Sequence, residues 1–465
     1  MCIRAMKFLV SVCVAVLVLS STSVFGQWVV TEPPQSEGRA LAIDAQGRIY
    51  VATQGFGGPG FVVGYRPGGV QLWSTTFAEG SAQAIAVDNA GGVYVTGTTG
   101  TMIKTVKLNA LTGVVGWTAT YGSFGLALQS RIVVAHGSVY IAATVGSNQS
   151  STEIHTIRYD AFTGAQSPPQ TFNNGTLNFP DIAFAIATDI LDNVVVVGSS
   201  QKGSLDTDYV TLVYDFDLVV LVAGWPQFYN GGAVPDSIDQ AFAVTTTENS
   251  TSNVRIYVTG MSYSTNSNHG HDYLTLCYDL NGSQCWSQPQ RWHGGFGNDI
   301  PYAIVVDPHC RKVFVTGEST ASSVGGSRAS TISYNMNTGA VIWVNNLTPT
   351  GSPPPKTSSG RAIALDQFGD VYIAGQIAAL GLYPDMMAAK LSGVNGTNLW
   401  QQQYNGSGNH QDWANAVAID PSGFAVITGM STNLVYAMEA TTIKYTQKCL
   451  LGHPDCGFWT RRTIP

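Results

Sequence analysis

The sequence predicts an all-β chain in which one short unit is written eight times. Charged residues are scarce, at 11% of 465 residues, against about 25% in an average soluble domain. The 51 glycines equal the 22 Lys+Arg and 29 Asp+Glu taken together. Apolar residues alternate with period two in short runs closed by turn residues, the signature of strands. With 44% hydrophobic residues, the chain carries enough apolar surface for a large core. A net charge of −7 gives nucleic acid no electrostatic reason to bind.

The N-terminus reads as an export signal. Arg4 and Lys7 form its basic start, Phe8 to Leu19 its short apolar run, and Val24-Phe25-Gly26 a cleavage site before Gln27. That run is too short to span a bilayer, and no later stretch approaches the length required. The expected organisation is therefore a leader at 1–26, a repeat domain at 27–447 and a tail at 448–465. The mature protein is expected to be a secreted monomer without a membrane span, extracellular or periplasmic. Five cysteines remain after cleavage. Cys277 and Cys285 flank the turn at Asn281 symmetrically and form one candidate disulfide; Cys449 and Cys456 in the tail form another.

The repeat begins with an apolar strand, a tight turn and a second strand ending at glycine. Ala84-Ile-Ala-Val-Asp88 with Gly92-Val-Tyr-Val-Thr-Gly97 is one copy, and Ala416-Val-Ala-Ile-Asp420 with Ala425-Val-Ile-Thr-Gly429 is another. Asp-x-x-Gly turns such as Asp44 to Gly47 join these two strands. Asp caps its own turn there, and Gly takes the left-handed position. Cys310 stands where the sixth unit would carry that glycine. A third strand follows, as in Asp272-Tyr-Leu-Thr-Leu-Cys-Tyr-Asp279, and then a fourth carrying tryptophan. Trp73, Trp117, Trp225, Trp286, Trp343 and Trp400 occupy that place and are expected to pack between neighbouring units.

First strands begin near residues 39, 83, 131, 182, 240, 301, 361 and 413. Eight four-stranded units of this length imply a β-propeller. The last unit lacks a tryptophan strand, and Gln27-Trp28-Val-Val30 is a spare one. The N-terminal strand is thus expected to close the ring. In Asp272 to Asp279, Trp400 to Gly406 and Asp412 to Gly429 the units resemble the secreted SBBP-type β-propeller repeat family. The resemblance runs through nearly the whole mature chain and implies an exported propeller without an assigned activity. That family is usually described with seven blades, so seven is the alternative count.

Loops joining second to third strands are long and irregular, at 198–207, 261–271, 318–327, 376–384 and 430–438. Function is usually carried by such loops on a rigid scaffold, which places a binding surface on this face and at the channel mouth. Asp181, Asp239, Asp299 and Asp412 recur at one position before the first-strand alanine. They either form a partial acidic ring able to hold Ca²⁺ or cap loops within their own blades; capping is favoured, since no dense Ca²⁺ loop is present. His269 and His271 form the one His-x-His cluster, another candidate ligand site, in a polar loop. No cofactor beyond possible Ca²⁺ is implied, and no catalytic residues are assigned. The expected function is a non-enzymatic scaffold binding a protein or glycan. The alternative is a polysaccharide hydrolase or lyase using Asp239, Asp299 or Asp412 at the channel mouth.

Overall fold

The computed structural model describes residues 24–448, apart from 78–79, 176–178, 204–205, 232–236, 248–252, 265–269, 321–325, 349–356 and 379–382. The expected leader lies almost wholly outside the described residues, as do the proposed pair Cys449 and Cys456 and the residue His269.

The turn after each first strand folds the chain back on itself. At Asp44, one carboxylate oxygen accepts the backbone N–H of Gln46 and of Arg48, both at 2.9 Å, and the other accepts the Tyr50 hydroxyl. Gly47 sits at φ +76°, a conformation costly for any residue with a Cβ. Asp88, Asp366 and Asp420 build the same turn. The sixth unit departs from expectation. Asp307 accepts the N–H groups of His309 and Cys310, and the left-handed residue is Arg311, so Cys310 does not replace the glycine. The turn there is one residue longer.

Repetition of this hairpin, with a third and a fourth strand, yields eight antiparallel four-stranded sheets. Seven are consecutive in sequence and span residues 36–77, 81–121, 126–172, 181–229, 239–292, 299–347 and 357–404. The eighth takes three strands from 413–448 and its fourth from the N-terminal strand Val24–Pro34. Gln27 pairs with Tyr445, Trp28 with Lys444 and Val29 with Ile443. The expected cleavage before Gln27 leaves this pairing in place. First strands touch one another blade to blade in a closed cycle, which puts them around the axis. The fold is an eight-bladed β-propeller closed by its N-terminal strand, and the seven-blade count is set aside.

Tryptophans join the blades. The Trp73 indole donates to the Ala110 carbonyl in the next blade at 3.0 Å, and Trp286 donates to Met336 at 2.9 Å. Each ring also covers a glycine of the neighbouring turn: a Cβ on Gly113 would lie 2.6 Å from Trp73. Trp225 and Trp286 differ from expectation in one respect. They precede the fourth strands Gln227–Tyr229 and Gln290–Trp292, which are only three residues long. Pro226 and Pro289 follow them closely, and proline cannot donate to a ladder. Apolar clusters fill each blade junction, such as Val195, Val197, Trp225, Ile256 and Leu276 between the fourth and fifth blades.

Candidate functional site

The four repeated aspartates stand at or just before the start of their first strands and are 0–1% exposed. Asp412 accepts the N–H of Gly406 at 2.7 Å on one oxygen and that of Thr432 at 2.8 Å on the other. Asp299 does the same with Gly294 and Thr320, and Asp239 with Gly231 and Tyr263. Asp181 accepts the N–H of Asn174, and its other oxygen has no hydrogen-bond partner. The carboxylates of Asp239, Asp299 and Asp412 thus tie the loop entering the blade to the end of its second strand, while Asp181 holds the entering loop through Asn174. Burial raises the Asp412 carboxyl to about 6, with Asp385 adding to the shift. Burial also raises Asp181 and Asp299, helped by Glu153 and Asp272 respectively.

The structure does not draw these aspartates into one cluster. Among the described residues no group of three or more His, Cys, Asp or Glu side chains is gathered to hold a metal. His271 opens a third strand, and its backbone N–H donates to the Asn298 side chain at 3.0 Å. Asp208 and Asp272, which also open third strands, pair with Lys202 and Arg291. Cys277 and Cys285 are joined by a disulfide with Cα atoms 5.4 Å apart.

Sequence reasoning missed a second set of residues. Every first strand carries a β-bulge at the same step: Gly38 faces Thr53, Ala40 faces Ala52, and Arg39 between them faces nothing. The corresponding residues are Gln83, Leu128, Phe184 and Phe242 in the next four blades. Tyr302, Arg361 and Asn415 complete the ring. None of the eight is buried. A bulge re-aims the extra side chain, and these strands surround the axis. The signal lay in the sequence as one larger residue bracketed by small ones, as in Ala82-Gln83-Ala84 and Ala183-Phe184-Ala185.

This ring has two characters. Phe184 and Phe242 meet edge to face at 5.1 Å, with Tyr302 next to them in the ring. On the other side, Arg361 donates to Asn415 at 3.2 Å, and Asn415 donates to Glu37 at 2.6 Å. The Trp413 indole also donates to Glu37, and the Arg361 guanidinium lies 5.5 Å from the Trp413 ring. Burial lowers the Arg361 pKa; Tyr302, Glu37 and Glu318 oppose this, and Arg39 reinforces it. Arg131 is lowered by burial and by Arg39. Arg39 and Arg361 belong to blades one and seven, and Arg131 to blade three. Arg39 pairs with Glu37 at 3.6 Å, and Glu37 accepts from Asn415, the acceptor of Arg361, which brings the Arg39 and Arg361 side chains to one side of the channel.

Outside the channel, the long-loop face carries an aromatic group across blades seven and eight. Tyr383 and His410 stack at 3.7 Å, and Tyr436 meets His410 edge-on at 5.9 Å. Leu434, Val435 and Tyr436 at the adjacent hairpin tip are 76%, 79% and 73% exposed. On the opposite face, the turns of blades two to four line a 750 Å³ pocket with Asp88, His136, Asp189 and Asp192.

No protein-family model and no curated protein matches this chain. Similar solved structures are propellers. A quinohemoprotein alcohol dehydrogenase from Comamonas testosteroni aligns with TM-score 0.58 and 11% identity, over 92% of this chain and 78% of its own. A europium-containing methanol dehydrogenase aligns with TM-score 0.56 and 9% identity, over 90% and 93%. A Dos1 propeller aligns with TM-score 0.53 and 7% identity, over 91% and 95%. At such identities the likeness shows the fold alone. The bulge ring does not fit a hard cation, which takes about six to eight oxygen ligands. It offers arginines, amides and aromatic rings, and its nearest carboxylate, Glu37, is already held by Trp413 and Asn415. Among the described residues, no helix is long and apolar enough to cross a membrane.

Proposed function

We propose that this chain is an exported, non-enzymatic binding propeller that recognises a glycan or a protein on its long-loop face. The observation that carries this reading is the group of Tyr383, His410 and Tyr436 beside the exposed tip Leu434-Val435. Exposed aromatic and apolar residues held on a rigid scaffold form a contact surface that the fold's own packing does not use. The resemblance to the SBBP-type repeat supports export, as does the leader pattern.

An acid–base role for Asp239, Asp299 or Asp412 finds no support in their geometry. Both oxygens of each accept backbone N–H groups, and none is open to solvent. A general acid must reach the bond it protonates. The test is a glycan array and a pull-down with the mature protein and a Tyr383→Ala/Tyr436→Ala variant. A ligand bound by the first and lost by the second supports the reading. Binding that the variant keeps would move the surface elsewhere, and hydrolysis of an array glycan would overturn the non-enzymatic assignment.

A further inference from the structure

Two of the eight bulged positions around the channel, on blades one and seven, are arginines, Arg39 and Arg361. Outside the channel Arg48 meets Asp44, Lys202 meets Asp208, Lys390 meets Asp366 and Lys444 meets Asp420, and within it Arg39 meets Glu37 at 3.6 Å. Arg361 has no ion-pair partner among the described residues; it donates to Asn415, and Asn415 donates to Glu37, the partner of Arg39, so the two arginines meet through one short chain of contacts. In a chain of net charge −7, two arginines thus stand on one side of the channel with a single carboxylate, Glu37, linking them. Channel walls of low dielectric focus such a field and raise its effect on an entering anion.

The neighbours of these arginines narrow the class of anion. Tyr302, Arg361, Asn415 and Arg39 follow one another around blades six, seven, eight and one, with Trp413 between the two arginines. Amides stand beside both: Gln54 accepts from Arg39 at 2.7 Å, and Gln376 accepts from Arg361 at 3.3 Å. Aromatic rings suit the apolar face of a sugar, and amides with Glu37 suit its hydroxyls. A guanidinium suits a carboxylate or a sulfate. The bulged residues lie three positions along from the capping position at the mouth, about 10 Å down a strand from the long-loop face.

We propose that the channel mouth binds an acidic sugar unit, its carboxylate or sulfate held between Arg39 and Arg361 and its ring against Trp413 and Tyr302. This rests on the glycan branch of the binding reading and names its substrate class. The aromatic group of Tyr383, His410 and Tyr436 stands on the same side of the ring, over blades seven and eight. It would hold the part of the glycan that stays outside.

Calorimetric titration with four probes tests it: tri-galacturonate, its methyl ester, maltotriose and sulfated maltotriose. The acid and its ester share their rings and differ in charge, and the sulfated probe separates the two anion types. The expected result is binding of tri-galacturonate or sulfated maltotriose that weakens as salt rises, with the uncharged counterpart at least tenfold weaker. Arg39→Gln and Arg361→Gln are each expected to lose about tenfold, as for one charge-assisted hydrogen bond, and Arg361→Lys to recover part of it. Arg361→Gln can disturb Trp413 and Asn415, so thermal unfolding of each variant is measured as well. Arg39→Gln decides if the other variant fails to fold, because its partly exposed side chain is held only at the surface of the ring, by Gln54 and Glu37. Equal binding of acid and ester, or arginine variants that bind like the parent, would overturn the proposal. If neither anionic trimer binds while another ligand is captured through Tyr383 and Tyr436, the channel assignment fails and the binding reading stands. If no array glycan or pull-down partner binds either, both fall.

Discussion

The indole of Trp28 donates its N–H to the Pro67 carbonyl at 3.3 Å, and this contact locks the N-terminal strand of the last blade to the first blade. It repeats the Trp73–Ala110 contact one blade junction further round. Gly69 lies beneath the ring at φ +83°, where a Cβ would fall 2.6 Å from the indole. Trp28→Ala is therefore expected to cost about 2–4 kcal/mol, in the range of large-to-small aromatic substitutions, read as a lowered midpoint in denaturant. Gly69→Ala should destabilise as well, through strain and overlap together. Unchanged midpoints in both variants would mean that ring closure does not limit stability.

Glu32 makes stability depend on pH. It lies in the same closing strand, 8% exposed, and burial raises its carboxyl from 4.5 to about 7. The folded state therefore binds a proton that the unfolded state has released between those values. The group's contribution is full below about 4.5 and lost as pH rises through about 7. Asp412 acts in the same direction, between 3.8 and about 6. The melting temperature should rise as pH falls from 8 to 6. Glu32→Gln should flatten that rise and stabilise the protein at pH 8 by on the order of 2 kcal/mol. A destabilised Glu32→Gln at pH 8 would show that the carboxylate is ionised and paired.

The blade count, the Asp turns, the inter-blade tryptophans and the closing strand were legible because each depends on local chemistry repeated at fixed spacing. Asp44 caps a turn within four residues, and Trp28 stands out as a fourth strand with no unit of its own. The bulge ring was hidden for the opposite reason. A bulge breaks period-two alternation by one residue, so Arg39 and Phe184 read as ordinary strand positions until pairing shows that nothing opposes them. The meeting of Arg39 and Arg361 through Glu37 and Asn415 depends on blades one, seven and eight converging at an axis, which no linear spacing encodes. The short fourth strands at 227–229 and 290–292 were misread because tryptophan marked the unit while the prolines beside it displaced the ladder.

Asp299 separates capping from metal binding. Asp299→Ala leaves the N–H groups of Gly294 and Thr320 without their acceptor, at a cost of about 2–4 kcal/mol for two partly buried donors. Asp299→Asn keeps one oxygen and should cost less. Added Ca²⁺ is expected to leave the melting temperature of the parent unchanged. A calcium-dependent rise that vanished in Asp299→Asn would restore the acidic-ring reading for Asp181, Asp239, Asp299 and Asp412.

The disulfide between Cys277 and Cys285 should matter most at one blade junction. The hairpin it closes contains Leu280, whose carbonyl accepts the Trp225 indole at 2.9 Å, and Asn281, whose carbonyl abuts Gly224. The fifth blade therefore holds the fourth through this turn. Both blades have fourth strands of three residues, so the ladder alone gives their outer edges little support. Cys277→Ser/Cys285→Ser is expected to cost about 2–3 kcal/mol, as chain entropy gives for a loop of this size. Hydrogen exchange should rise first in residues 279–285 and 222–229, ahead of the first strands around the channel. Uniform loss of protection around the ring would show instead that the blades open as a single cooperative unit, with no weak junction for the disulfide to guard.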